Sequence, residues 1–263
     1  MWCRYIGPGR PGRTWRPLED TATGEPVLGG VRGGWMNWKR GTDYYDEGDL
    51  LWLEVATILR RESHGQKSID DFCLAFHGGA NNGPEVKTYT FDELMSALNA
   101  IAPYDWATFF HTRLNSTAPE APVGGIENGG WKVVMNGQPS KLPGRRGNVG
   151  AVYSIGLQLG QDGTVSDAIV GSPAFKAGIS AGMKVIGVND HVYTQDVLDD
   201  AIKSAKDHAG DHVPPIRLLV ESDDYIRAFT VDYRGGELFP HLERVSEKPD
   251  YLDELIKPRV AAK

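Results

Sequence analysis

Near residue 120 the sequence changes texture, and that change constrains the fold more than any single motif. Before it, apolar residues recur at helical spacing; beyond the Pro-rich run TAPEAP and a Gly/Pro-rich connector, the chain breaks into short β-branched runs bounded by Gly, Asp or Asn. A helical half followed by a strand half predicts an α+β protein of two domains. The boundaries expected are 1–120 for a helical part that stays irregular to about residue 42, 121–150 for a connector, 151–235 for the strand domain and 236–263 for a tail.

The chain has 263 residues, enough for two domains that each bury a core without disulfide staples. Its net charge of -7 opposes a nucleic-acid partner, because phosphate recognition needs clustered Lys and Arg. Cys3 and Cys73 are the two cysteines, with no second C-x-x-C, so neither a disulfide framework nor a cysteine zinc site is indicated. No apolar run approaches the roughly 18 residues a membrane-spanning helix needs. The first residues, MWCRYIGPGRPGRTWRP, carry arginines, prolines and aromatics but no apolar signal core, and Trp2, Tyr5, Ile6 and Trp15 there ask for a partner surface. The expectation is that the chain starts inside a larger ancestral domain.

In the helical half, Leu50, Leu51, Leu53, Val55, Ile58 and Leu59 predict a buried helix ending near Arg60 and Arg61, with Gly65 as its stop. Ser68 and Asp71 resemble a capping box opening SIDDFCLAFHG, with Ile69, Phe72, Cys73 and Phe76 on one face. Thr90 and Glu93 make a cleaner box before FDELMSALNAI, and Asp105 can cap WATFFHTRLNS. In the second half, Trp131 to Met135 is a strand candidate within the connector. VYSIGLQLG, GTVSDAIVG, GMKVIGVND, PIRLLVESDD and YIRAFTVDY read as half-buried strands. Between them lie a short helix around Pro173 to Ala177 and a longer one, TQDVLDDAIKSAKD. Together these predict a small, mostly antiparallel β barrel or sandwich with two helices.

The order SIGL, then SPAFKAGISAGMKVIGVND, then the amphipathic helix from Thr194 resembles a PDZ domain of the kind attached to bacterial proteases. The resemblance places Ser154, Ile155, Gly156 and Leu157 at the family's carboxylate-binding loop, where successive N–H groups can form an anion nest. It also implies that a peptide adds as an extra strand beside Leu157, against Val197, Leu198 and Ala201. Ser154 stands where the family has Gly, and no Arg or Lys stands just before it, which argues against a chain end and leaves an internal peptide segment or packing against the neighbouring domain to fill the groove.

The preceding half, including GRTWRPLEDTATGEPVL, DYYDEGDLLWLEVATILRRESHGQKSIDDFCLAFHGG and TYTFDELMSALNAIAPYDWATFFHTRLNST, resembles the C-terminal helical part of the glycyl aminopeptidase family of zinc metallopeptidases, whose peptidase domain is gluzincin-like. Members also carry a PDZ domain after it, and the closing GGELFPHLERVSEKPDYLDELIKPR extends the likeness. The resemblance implies that Tyr45, in YDEG, aims its hydroxyl at a zinc-bound substrate carbonyl. Such a donor beside a developing oxyanion is worth about 2–4 kcal/mol of barrier. Tyr44 is the fallback, and Gly48 is implied to let the helix pass close to its neighbours. A packing role for Tyr45 is the competing reading.

The metal of this class is held by H-E-x-x-H, which this sequence does not contain. His208 and His212 are the one histidine pair at spacing four, in a Gly-containing loop without the glutamate; His64, His77 and His111 read as surface or helix-end residues. Zinc is therefore expected of the full-length family, with no metal site in this chain. Three functions remain: the C-terminal fragment of a PDZ-containing zinc aminopeptidase, inactive alone; a stand-alone PDZ peptide-binding adaptor; or a subunit completed in trans by a zinc-bearing chain. The partner in each is a peptide or protein segment, with no nucleic acid or membrane and, in the first reading, a missing N-terminal peptidase portion. Family members are usually periplasmic or secreted, which leaves the compartment open for a chain without a recognisable signal.

Overall fold

The computed structural model describes residues 9–28, 34–79, 83, 86–139, 149–206 and 213–258. In chain order the helices are α1 (Leu18–Leu28), α2 (Met36–Lys39), α3 (Asp43–Glu62), α4 (Ile69–His77), α5 (Phe91–Ile101), α6 (Trp106–Leu114), α7 (Gly124–Asn128), α8 (Val149–Ser154), α9 (Pro173–Lys176), α10 (Gln195–Ser204) and α11 (Tyr251–Ile256). The strands are β1 (Trp131–Asn136), β2 (Leu157–Leu159), β3 (Val165–Ala168), β4 (Lys184–Val188), β5 (His191–Val192), β6 (Ile216–Ser222), β7 (Tyr225–Val231) and β8 (Phe239–Arg244). The result is a mixed α+β chain with small antiparallel sheets.

The chain divides into two compact units, each assembled from separated segments. One comprises Met1–Asp43, Thr117–Ala121 and Val133–His241; the other comprises Tyr44–Ser116, Pro122–Lys132 and Leu242–Lys263. These cuts differ from linear boundaries near 120, 150 and 235. The described residues before Tyr44 cluster with the strands, and those after His241 cluster with the helices.

In the strand unit, β5-β4-β6-β7 form one antiparallel sheet and β2-β3 a separate ladder. Alternation along β6 sends Ile216, Leu218 and Val220 into the core and Arg217, Leu219 and Glu221 outward, as a sheet with one buried face requires. The expected barrel does not close among the described residues. β2 and β3 are only three and four residues long, their register slips between Gln158 and Leu159, and the link toward β4 is an isolated bridge, Thr164 to Lys184, flanked by bonds between Val165 and the Gly182–Met183 turn. A second correction falls on VYSIGLQLG. Its first three residues are helical, because the Ala151 carbonyl accepts from both Ile155 N (3.1 Å) and Gly156 N (2.8 Å), and Gly156 ends α8 with φ +80.

The irregular segment before α3 is held by charge. Arg10, Arg13, Arg16 and Arg40 are all buried, and Arg10 and Arg40 both reach Asp43 Oδ2, which is fully buried. Arg13 donates to the Ala118 carbonyl at 2.9 Å. The same segment joins β3 through Trp35 N to Ser166 O (3.3 Å) and Asn37 N to the Asp167 carboxylate (2.7 Å). These bonds explain why residues with so little apolar periodicity belong to the strand unit.

In the helical unit, Leu51, Val55, Ile58 and Leu59 lie on one stripe of α3 and meet Phe72, Met95, Leu98, Trp106, Phe109 and Phe110. The caps read from sequence form: Thr90 Oγ1 accepts from Glu93 N at 3.2 Å, Glu93 Oε2 accepts from Thr90 N at 2.7 Å, and Asp105 Oδ1 accepts from Thr108 N at 3.1 Å. The Ser68 and Asp71 box is present too. Cys73, expected on the inner face of α4, is exposed. The tail docks here through Trp131 Nε1 to Asp250 Oδ1 (2.9 Å) and Arg244 Nε to Asp250 Oδ2 (3.1 Å).

Candidate functional site

The first turn of α3 distributes its side chains unevenly. Asp43, Asp46 and Glu47 are buried and Tyr44 is half-buried, whereas Tyr45 is 64% exposed. The two tyrosine rings lie 4.7 Å apart, tilted by 38°. A core aromatic would be enclosed, and the Tyr45 ring is not enclosed by the described residues. Its ring stands off a helix whose later turns are locked in the core, which presents the hydroxyl to solvent from a rigid base. Two non-glycine residues in left-handed backbone, Trp35 (φ 71) and Arg40 (φ 51), flank α2 just upstream, a conformation that costs about 1–2 kcal/mol per residue. Gly48 does not serve a close approach: among the described residues nothing lies within 4 Å of where its Cβ would stand.

The second candidate is the loop and groove of the strand unit. Ser154 is buried and its hydroxyl accepts from Leu238 N at 3.0 Å. Gly156 is required at its position, since a Cβ there would fall 2.1 Å from the Ser172 Cβ. Ile155, Leu157 and Leu198 are fully buried in one core, and Val197 and Ala201 are half-buried against it. The structure thus gathers all seven residues around one core, but on terms the resemblance did not imply. The Ile155 and Gly156 N–H groups assigned to an anion are bonded to Ala151 O, and of the apolar groove residues only Val197 and Ala201 retain appreciable exposed surface.

Charge near that loop is negative. Asp199, half-buried on α10, takes one hydrogen bond from Gln195 Nε2 at 2.8 Å. Burial pushes its carboxyl up against that bond, and repulsion from Glu237, Asp196 and Asp200 adds to the rise. Neither Asp199 nor Glu237 has an ion-pair partner among the described residues. Sequence reading missed this pair. The acidic spacing on α10 was visible, but Glu237 arrives from a distant part of the chain.

Among the described residues no group of three or more His, Cys, Asp or Glu side chains is placed to hold a metal ion, and His208 and His212 lie outside those residues. Among the described residues, no helix is long and apolar enough to cross a membrane.

No protein-family model matches the chain, and no curated protein matches it. Among solved structures, the fold is similar to an aminopeptidase N family protein from Idiomarina loihiensis, with 19% sequence identity and a TM-score of 0.50 over 82% of this chain and 36% of that one. The class this defines is one of architecture: a mixed α+β chain laid out like part of an aminopeptidase N family structure. This chain spans well under half the length of that protein.

Proposed function

We propose that this chain is the C-terminal portion of a zinc metallo-aminopeptidase of the glycyl aminopeptidase type, carrying a PDZ-like peptide-binding module and inactive by itself. The observation that carries the reading is the exposed phenol of Tyr45 on the first turn of a rigid helix, in a chain whose fold is similar to part of an aminopeptidase N family protein. Tyr45 would donate its hydroxyl to the oxyanion that develops when a peptide carbonyl is attacked. The attacking water and its metal would have to be supplied by residues outside this sequence, since no H-E-x-x-H occurs in it. In this reading the strand unit takes an internal, extended segment rather than a peptide C-terminus. The committed N–H donors of Ile155 and Gly156 and the carboxylates of Asp199 and Glu237 support that choice, because a terminal carboxylate would meet spent donors and like charge.

The test has two parts. The purified chain should not hydrolyse glycyl or alanyl anilides with or without added zinc; zinc-dependent turnover would sink the assignment of inactivity. In an intact relative, replacing the tyrosine that aligns with Tyr45 by phenylalanine should lower kcat by about 10²–10³ with little change in KM, the loss expected for one oxyanion donor. Full turnover in that variant would remove Tyr45 from the chemistry.

A further inference from the structure

The helical unit contains a cavity that the peptidase reading does not use. It has a volume of about 370 Å³ and is lined by Phe76, His77, Lys87, Thr88, Tyr89 and Glu93. That volume has room for a substituted ring and falls within the range typical of small-ligand sites.

Its apolar wall is preorganised from the core outward. Trp52 stacks on Phe72 (5.6 Å between centroids, 27°) and Phe72 stacks on Phe76 (5.2 Å, 17°). Phe76 then meets the Tyr89 ring edge-on at 5.0 Å and the His77 ring edge-on at 5.0 Å. Phe72 is buried while Tyr89 is 59% exposed, so a stack anchored in the core ends at a wet aromatic surface. Edge-to-face geometry of this kind leaves ring faces and edges available to a further aromatic group.

The polar groups are asymmetric. Glu93 Oε2 is occupied by Thr90 N at 2.7 Å and Thr90 Oγ1 at 3.0 Å, and its charge sits at the N-terminus of α5, where the helix dipole compensates it. Lys87 forms no salt bridge among the described residues and is exposed beside the rings. Lys87 and Glu93 act on each other through space, so the cavity carries one charge of each sign; Lys87 differs in that its ammonium donates no hydrogen bond among the described residues, and Thr88 and His77 add hydrogen-bonding capacity. We propose that this cavity binds a planar aromatic ring bearing an anionic substituent, the ring against Phe76 and Tyr89 and the anion at Lys87. The inference stands independently of the peptidase reading.

Titration of the full-length chain with phenylacetate, acetate and benzylamine, followed by amide chemical shifts in the Phe76–His77 and Lys87–Glu93 segments, tests it. Phenylacetate should bind at least about fivefold tighter than either control, the effect expected of one ring contact or one partly exposed charge. Lys87→Met should abolish the preference over benzylamine, and Tyr89→Leu the preference over acetate; both positions are exposed, so neither variant threatens folding. Phenylacetate binding no better than acetate, or a preference untouched by Lys87→Met, would overturn the proposal. Competition by N-acetylphenylalanine and by N-acetyl-Gly-Gly-Phe separates a free aromatic acid from the C-terminus of a peptide as the source. Failure of both to compete would also overturn it.

Discussion

Arg113 grips Glu54 through two parallel hydrogen bonds, Nε to Oε2 at 2.8 Å and Nη2 to Oε1 at 2.6 Å. Glu54 is 4% exposed in the middle of α3, and α7 approaches so closely that a Cβ on Gly125 would fall 2.6 Å from Glu54 N. Fork-to-fork pairing is the geometry in which arginine cannot be replaced by lysine. Arg113→Met strands a buried carboxylate, and we expect a loss of about 1–3 kcal/mol in denaturant unfolding, less than for a fully buried pair because the Arg113 side chain is 32% exposed and water reaches the vacated site. Glu54→Gln combined with Arg113→Met should recover part of that loss.

Gly156→Ala tests the loop of the strand unit. The backbone there is left-handed and the added methyl would collide with Ser172. We expect about 2 kcal/mol or more of destabilisation, of which left-handed backbone alone accounts for about 1–2 kcal/mol. A melting temperature within error of the parent would show that the loop relaxes freely.

Acidification should loosen the start of α5. Hydrogen bonds from Thr90, the backbone N–H first and then the hydroxyl, hold the Glu93 carboxyl below its ordinary 4.5. A depressed folded-state value means that ionised Glu93 stabilises the fold above the ordinary value, and that this stabilisation is lost as pH falls through the lower one. Amide exchange at Phe91–Glu93 should accelerate as pH drops below 4.5, relative to the intrinsic rate. Thr90→Val should show a smaller acid-dependent change, since half of the box is already gone.

Tyr45→Phe should leave stability within about 0.5 kcal/mol, as expected of an exposed side chain away from caps and cores. Leu51→Ala, one turn and a half further along the same helix, should cost about 2–5 kcal/mol. A large stability loss in the tyrosine variant would show that the hydroxyl holds a structural hydrogen bond, and one in Tyr45→Ala that the ring packs.

What the sequence made legible follows from how local each signal is. The boxes at Ser68 and Thr90, the Asp105 cap and the stripe through Leu51, Val55, Ile58 and Leu59 each depend on residues within a turn or two, and the structure forms them as read. α1 was hidden because Gly24 and Pro26 interrupt its pattern, although Glu19 and Asp20 suit a first turn. α11 lies in the segment that reads as a tail, because it is only six residues long, although Asp250 caps it at Asp253 N. Sheet closure was not legible, because the short β2-β3 ladder and its bulge depend on pairing rather than on strand propensity. At the candidate site the tyrosines were visible. Their unequal exposure, and the Asp199 and Glu237 pair, depend on contacts that no window of sequence contains.

The segmented make-up of the helical unit has a consequence for biosynthesis. Trp131 and its partner Asp250 are separated by 119 positions, and every residue of Val133–His241 leaves the ribosome before Leu242–Lys263 does. The helices can condense early, since their core is built from Leu51 to Phe110, but their last piece arrives only after the strand unit has been made. A nascent chain must therefore hold an incomplete helical unit while the largest segment of the strand unit emerges. Stalling or proteolysis near residue 241 would release a product that keeps the β5-β4-β6-β7 sheet and the β2-β3 ladder, loses half of β8, and leaves the helices without their final clasp.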